Sequence, residues 1–342
     1  MELQILKFYR DMTYSSTFFC RMSYLSALRN DTVNSGDGEG FLHCVRQEIL
    51  IWILSLVILV FGIVGNIVTF FKIVLNKRLH KPFSISIACL AVADFCCLCI
   101  QFIRIPLSQC SYLTDTTGKM IVLNITAAST NSSTMHIILL AAIRYCLIVH
   151  PFRTKCRLTS GKVIASSCIS WIISLVLGIL YGIYNRKYYN NNVDEKTDAI
   201  VQLVIGLYVL LLPVTFFLIF FIKELRTMKK SLLPKRTSKS IKAVSRMIGI
   251  ILILYVVFIL PYVVADTCRV LYLHHTLDFL EADSTMFDSI IISMYSVAQI
   301  MILFNYAVNP FIYFLYSRII FRVRSFPLRG RLSLISRKRP KR

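Results

Sequence analysis

The sequence predicts an all-α integral membrane protein: a seven-transmembrane helix bundle, N-terminus outside, with a short amphipathic eighth helix. Three observations predict it. Of 342 residues, 56% are hydrophobic and only 16% charged, where soluble domains carry roughly 45–50% apolar and about 25% charged residues. The apolar residues gather in seven runs, each near the ~20 residues a helix needs to cross a ~30 Å hydrocarbon core. The excess positive charge, net +22, lies between those runs and mostly on one side of them.

Taken in order, residues 1–48 form a polar N-terminal segment of mixed charge, residues 49–315 the membrane domain, and residues 316–342 a basic tail. No apolar stretch in the first segment ends at a small-residue cleavage site, so the first span is expected to act as the insertion signal. That span, 49–75, reads "ILIWILSLVILVFGIVGNIVTFFKIVL". The second covers 84–106 and holds "LAVADF". The third, 118–149, is interrupted by "NITAASTNSSTM". Lipid cannot satisfy those hydroxyls and amides, so the stretch must face the interior, which makes the third helix the expected central and most buried one. Spans four to seven cover 161–184, 199–226, 239–266 and 287–315.

Orientation follows from lysine and arginine. With the N-terminus outside, the inner segments are 76–83, 150–160, 227–238 and 316–342, and Glu224 is the only acid near them. The opposite side carries "DEKTD" and "LDFLEADSTMFD". The charge is thus explained by orientation and by attraction to anionic lipid headgroups, and no nucleic-acid motif accompanies it. Asn30, followed by Thr32, would lie outside as a glycosylation acceptor, whereas the matching patterns at Asn124 and Asn131 fall inside the third helix. The eleven cysteines show no metal-site spacing.

Ionisable or amide side chains inside spans are functional candidates, since a centred charge costs about 2.5–3.5 kcal/mol on insertion scales. Those present are Asn66, Asp94, Arg144, Asn305 and Asn309. Together with their neighbours they carry a resemblance. "GN" at Asn66, "LAVAD" at Asp94, Arg144-Tyr145 followed by "HPF", Trp171, Pro213, Pro261 in "FILPY" and "NPFIY" at 309–313 occur in order, one per span. The chain in this respect resembles the rhodopsin-like G-protein-coupled receptors over essentially residues 49 to 325. The resemblance implies a receptor at the cell membrane that passes an extracellular signal to a heterotrimeric G protein, with arrestin as a further partner.

It also implies roles. Pro213, Pro261, Asn309, Pro310 and Tyr313 would form the activation hinges, each proline removing a backbone donor mid-membrane. Asn66, Asp94, Ser133, Asn305 and Asn309 would form a polar cluster that binds sodium at Asp94. Tyr306, where the family usually has a small residue, works against the ion. Arg144 and Tyr145 would meet the G protein. The acidic neighbour usual before the arginine is replaced by Ile143, and the start of span six offers no carboxylate. Arg144 is therefore expected to lack a restraining partner, and ligand-independent signalling to be raised.

Further departures are Ile259 for a usual tryptophan, Phe221 for a usual tyrosine, and the loss of the family disulfide, with Lys119 at its first site. A bridge from Cys44 to either Cys110 or Cys268 is expected instead. Thr126 stands where amine receptors of the family hold an aspartate, which argues against a monoamine. Arg104, Lys119 and Arg269 could seat a carboxylate or phosphate. Asp266 and the acidic loop after it would steer a basic peptide. A peptide is the favoured ligand, with a small organic acid or lipid mediator as the alternative.

After the last span, "SRIIFRVRSF" reads as an amphipathic helix on the inner leaflet. No internal repeat supports a transporter, no selectivity ring a channel, and His136, His150, His274 and His275 have no carboxylate at catalytic spacing, which leaves no basis for an enzyme.

Overall fold

The computed structural model describes residues 37–109, 116–150, 154, 157–189, 193–230, 235–273 and 284–316. Its elements are α1 (Asp37–Val74), α2 (Pro82–Gln109), α3 (Thr116–Val149), α4 (Ser160–Tyr189), α5 (Glu195–Lys230), α6 (Lys235–Leu273), α7 (Ser284–Ala307) and α8 (Asn309–Leu315). A single 3-10 turn, Lys77–Leu79, joins α1 to α2. Among the described residues, six helices are long and apolar enough to span a membrane, from Ile49–Val74 to Ser245–Cys268. Ser293–Ala307 of α7 and α8 make the seventh as a pair, bent by 41° where the chain enters Asn309-Pro310. α8 is thus the end of the last span, and the predicted amphipathic helix in the tail lies outside the described residues.

Hydropathy locates these helices because the lipid-facing positions are apolar on the outside: Phe61, Ile172, Leu180 and Ile253 are all exposed. The polar groups are inside, with Asn66, Asp94, Ser132 and Ser174 at 0% exposure. That inversion is what a bilayer demands. Helix ends are less legible. α1 starts at Asp37, ahead of the expected 49, because the turns before Ile49 are polar. α5 begins at a side-chain cap: the Thr197 hydroxyl donates to Asp194 Oδ1 at 2.6 Å and the Thr197 amide to Oδ2 at 3.0 Å. These bonds hold the Asp194 carboxyl below its ordinary range.

α3 packs against α2, α4 and α5, and the ring closes through α5–α6, α6–α7 and α7–α1. α3 is central, as the polar stripe predicts. It is not the most buried, however: the α2 span is 61% buried inside the protein and the α3 span 56%. α2 is wedged among α1, α3, α4 and α7, which leaves it little lipid contact. Three glycines set close approaches. A Cβ on Gly62 would lie 2.8 Å from Ala307 Cβ, and one on Gly65 would lie 3.0 Å from Pro310, so α1 rests directly on the α7–α8 bend. A Cβ on Gly182 would collide with the Asn124 side-chain amide, so α4 makes room for an amide of α3.

Candidate functional site

Three polar groups line the inside of the bundle. The first surrounds Asp94 of α2. Ser133 of α3 donates to Asp94 Oδ1 at 2.5 Å, and Asn309 of α8 donates to Oδ2 at 2.8 Å. Asn309 Nδ2 also lies 3.4 Å from the Asn305 carbonyl, and the Asn305 side chain is buried beside it. Asn66 of α1 donates to the Gly62 carbonyl at 2.9 Å and to the Tyr306 carbonyl at 3.2 Å. The second bond has a local cause. Pro310 has no N–H, so the carbonyl four residues earlier, that of Tyr306, loses its helical partner. Asn66 supplies the missing donor across the Gly62–Gly65 contact. Asn66 Oδ1 and the hydroxyls of Tyr306 and Tyr313 are buried with no hydrogen-bond partner. The structure therefore brings Asn66, Asp94, Ser133, Asn305 and Asn309 into one region around the bend.

The second group ties α3 to α4 and α5. Asn131 donates to Ser174 at 3.0 Å and accepts from the Tyr208 hydroxyl at 3.0 Å. His136, 1% exposed, reaches the Ser132 carbonyl with Nδ1 at 2.7 Å and Ser167 with Nε2 at 2.7 Å, beside Trp171. Sequence reasoning passed over His136 because it sought carboxylate partners; the available signal was its place on the serine-rich stripe.

The third group is at the end of α3. Arg144 Nη2 lies 3.5 Å from Glu224 Oε1 of α5 and donates to Ser245 Oγ of α6 at 3.2 Å. The Ser245 hydroxyl in turn donates to Glu224. All three residues are buried. The expectation that Arg144 lacks a restraining partner is therefore wrong. The acid is not adjacent in sequence or on α6; it comes from the last turns of α5, where "FFIKEL" places Glu224 on the face turned to α3. Beside this latch, Tyr145 stacks on Phe220 at 5.1 Å between ring centroids, with Lys223 Nζ 5.8 Å from its ring.

At the opposite end the predicted ligand residues are more dispersed. Arg104 of α2 donates to Gln101 at 2.7 Å and across to Gln299 of α7 at 3.1 Å. The Thr126 hydroxyl is turned back onto the Val122 carbonyl of its own helix at 2.7 Å. Asp266 sits half-buried on α6. Lys119 and Arg269 belong to α3 and α6, but their side chains lie outside the described residues, as do Asn30, the side chain of Cys44, and Cys110. Cys268 is a free thiol, so the Cys44–Cys268 alternative is not formed. A bridge there would need paired sulfurs about 2 Å apart. Pro213 and Pro261 lie within α5 and α6, and neither breaks its helix. No cluster of His, Cys, Asp or Glu among the described residues could hold a metal.

Residues 65–313 match the family model described as 7 transmembrane receptor (rhodopsin family). Among known proteins, the chain is 25% identical over 190 residues to the histamine H2 receptor of Cavia porcellus, covering 51% of this chain and 53% of that one. It is 23% identical over 244 residues to the 5-hydroxytryptamine receptor 2C of Mus musculus, covering 67% and 52%. It is 28% identical over 198 residues to the G-protein coupled receptor homolog Q2/3L of Sheeppox virus (strain KS-1), covering 55% and 49%. The chain spans about half the length of the relatives it matches.

Proposed function

The chain belongs to the rhodopsin family of 7 transmembrane receptors, and from that premise we propose that it converts ligand binding outside the cell into activation of a heterotrimeric G protein inside. It is a multi-pass membrane protein and a receptor, not an enzyme. The observation that carries the signalling proposal is the Arg144–Glu224–Ser245 latch, which joins α3, α5 and α6 at one end of the bundle. Releasing it would free a guanidinium and separate helix ends in one event, which is what a binary switch requires. With the N-terminus outside, as the lysine and arginine bias supports, the latch faces the cytoplasm and Arg144 with Tyr145 would meet the G protein. Since Glu224 restrains Arg144, we propose low ligand-independent activity. The test is nucleotide exchange on purified heterotrimeric G proteins added to membranes carrying the chain. Exchange that is low in the unaltered chain, rises clearly above that of membranes lacking it in Glu224→Gln, and is lost in Arg144→Ala supports the reading; no difference among the four overturns it.

For the ligand we propose a peptide. Two of the relatives are by name histamine and 5-hydroxytryptamine receptors. In this chain, though, α3 offers Thr126, whose hydroxyl is bonded to its own backbone. Arg104 on α2 and Asp266 on α6 supply charges of both signs, which suit a ligand carrying both. Arg104→Ala and Asp266→Ala should each weaken a peptide agonist; an agonist insensitive to Arg104→Ala but lost with Asp266→Ala would point to an amine.

Asp94, Ser133, Asn66 and Asn305 offer carboxylate, hydroxyl and amide oxygens, the donor type a small hard cation takes. The partnerless Asn66 Oδ1 fits that set. We place sodium there as a proposal: bound, it would supply the charge that balances Asp94. Asn30 as glycan acceptor, arrestin as a further partner, the start of the tail as an amphipathic membrane segment, and anionic lipid as partner of the basic loops belong to the same reading.

A further inference from the structure

α5 and α6 are held together by a hydrogen bond whose cause is a missing one. Pro213 lies inside α5 and has no N–H, so the carbonyl four residues earlier, that of Val209, has no helical donor. Tyr255 of α6 donates its hydroxyl to that carbonyl at 2.8 Å. Its ring is 1% exposed, so water does not compete for the bond, and in a bilayer the carbonyl has few other donors within reach. We infer that Tyr255 is the positioning residue that fixes α5 to α6 beside Pro213 and keeps the latched ends of the bundle together. The inference rests on the receptor reading above.

Its place on the helix gives the direction of the effect. On α6 the order is Ser245, Tyr255, Pro261, from the latch toward the middle of the bundle. At 1.5 Å per residue, Tyr255 lies about 9 Å from Pro261 and Ser245 about 24 Å from it. If α6 pivots at its proline, an outward step at Ser245 moves Tyr255 by about a third as much. A movement of several ångströms at the latch therefore breaks the Tyr255 bond as well, so this bond favours the closed arrangement and opposes the open one. The pair is written into this chain by two residues, a proline and a tyrosine on facing helices, 42 positions apart (255 − 213).

Tyr255→Phe removes only the hydroxyl. A typical hydrogen bond shifts a two-state ratio by about fivefold, so basal nucleotide exchange per receptor at the membrane should rise by about that factor. The decisive comparison is a cycle with Pro213→Ala, which gives residue 213 an N–H of its own and returns a helical donor to the Val209 carbonyl. In that background Tyr255→Phe should change exchange by less than about twofold. The same cycle read as the melting temperature of the full chain in detergent separates this inference from the receptor reading. If no variant exchanges nucleotide, the receptor reading fails, and the melting cycle alone decides: coupling between positions 213 and 255 supports the clasp. Equal effects of Tyr255→Phe with and without Pro213, in both readouts, mean that the ring packs and the hydroxyl holds nothing; that result overturns the inference, as does no effect of Tyr255→Phe in the native background.

Discussion

Asp94 and Arg144 are both ionisable residues inside a membrane-spanning bundle, and the protein treats them differently. Asp94 is fully buried and satisfied by neutral donors, Ser133 and Asn309, from two other helices. Arg144 is 8% exposed at the end of its helix and faces an opposite charge, Glu224, with Ser245 between helices. Short hydrogen bonds in a fully buried site define one geometry and are costly to lose singly. A buried charge pair at the end of a helix can be exchanged for solvation when the ends separate, since its attraction and its desolvation cost nearly cancel. The Asp94 region is thereby suited to hold the bend of the last span, and the Arg144 region to open and close.

That contrast can be broken or sharpened in order of expected effect. Arg144→Ala should lower ligand-stimulated G-protein nucleotide exchange by about 30-fold or more, because it removes the guanidinium proposed to meet the G protein, and truncating one partner of such a charge contact costs about 2–5 kcal/mol. Its amount at the membrane should stay near wild type. Asp94→Leu should do the reverse in kind: Ser133 and Asn309 lose their acceptor, at about 1–3 kcal/mol for each buried group left unpaired. The melting temperature in detergent should therefore fall clearly. If Arg144→Ala destabilises as much as Asp94→Leu, the two regions do not differ as described.

Gly182→Ala should come next, at about 1–3 kcal/mol, since the new Cβ collides with the Asn124 amide packed against α4. His136→Phe should cost about 1 kcal/mol by deleting the link to Ser167 while keeping a ring beside Trp171. Both changes are read by melting temperature. Neither should alter the ratio of basal to stimulated exchange, because α3 and α4 are joined away from the latch.

The fold was largely legible in the sequence, and the pairing of its parts was not. Apolar length located the spans from Ile49–Val74 to Ser245–Cys268 because every lipid-facing turn must be apolar. The polar stripe placed α3 at the centre. The last span was legible as one run, but its 41° bend was not, because Pro310 marks where a helix is weakened and says nothing of the angle. Within the candidate site, Asn66, Asp94, Asn309 and Arg144 stood out as polar groups in apolar surroundings. Glu224 did not stand out as the partner of Arg144, since it is 80 positions away (224 − 144) and looked like one acid among the basic residues at a span end. Helix rotation and packing decide which face it presents, and no local pattern encodes that. The carbonyls of Tyr306 and Val209 were recoverable: a proline inside a helix names the carbonyl four residues before it as one needing a donor, though not which neighbour will supply it.

The account depends most on Glu224 restraining Arg144, and Glu224→Gln tests this directly. The amide keeps an acceptor for Ser245 and removes the charge opposite Arg144. Basal nucleotide exchange, normalised to receptor at the membrane and without ligand, should rise by several-fold or more, because the substitution takes the Glu224 charge away from a buried guanidinium. Basal exchange equal to or below that of the unaltered chain, at equal membrane abundance, would contradict it.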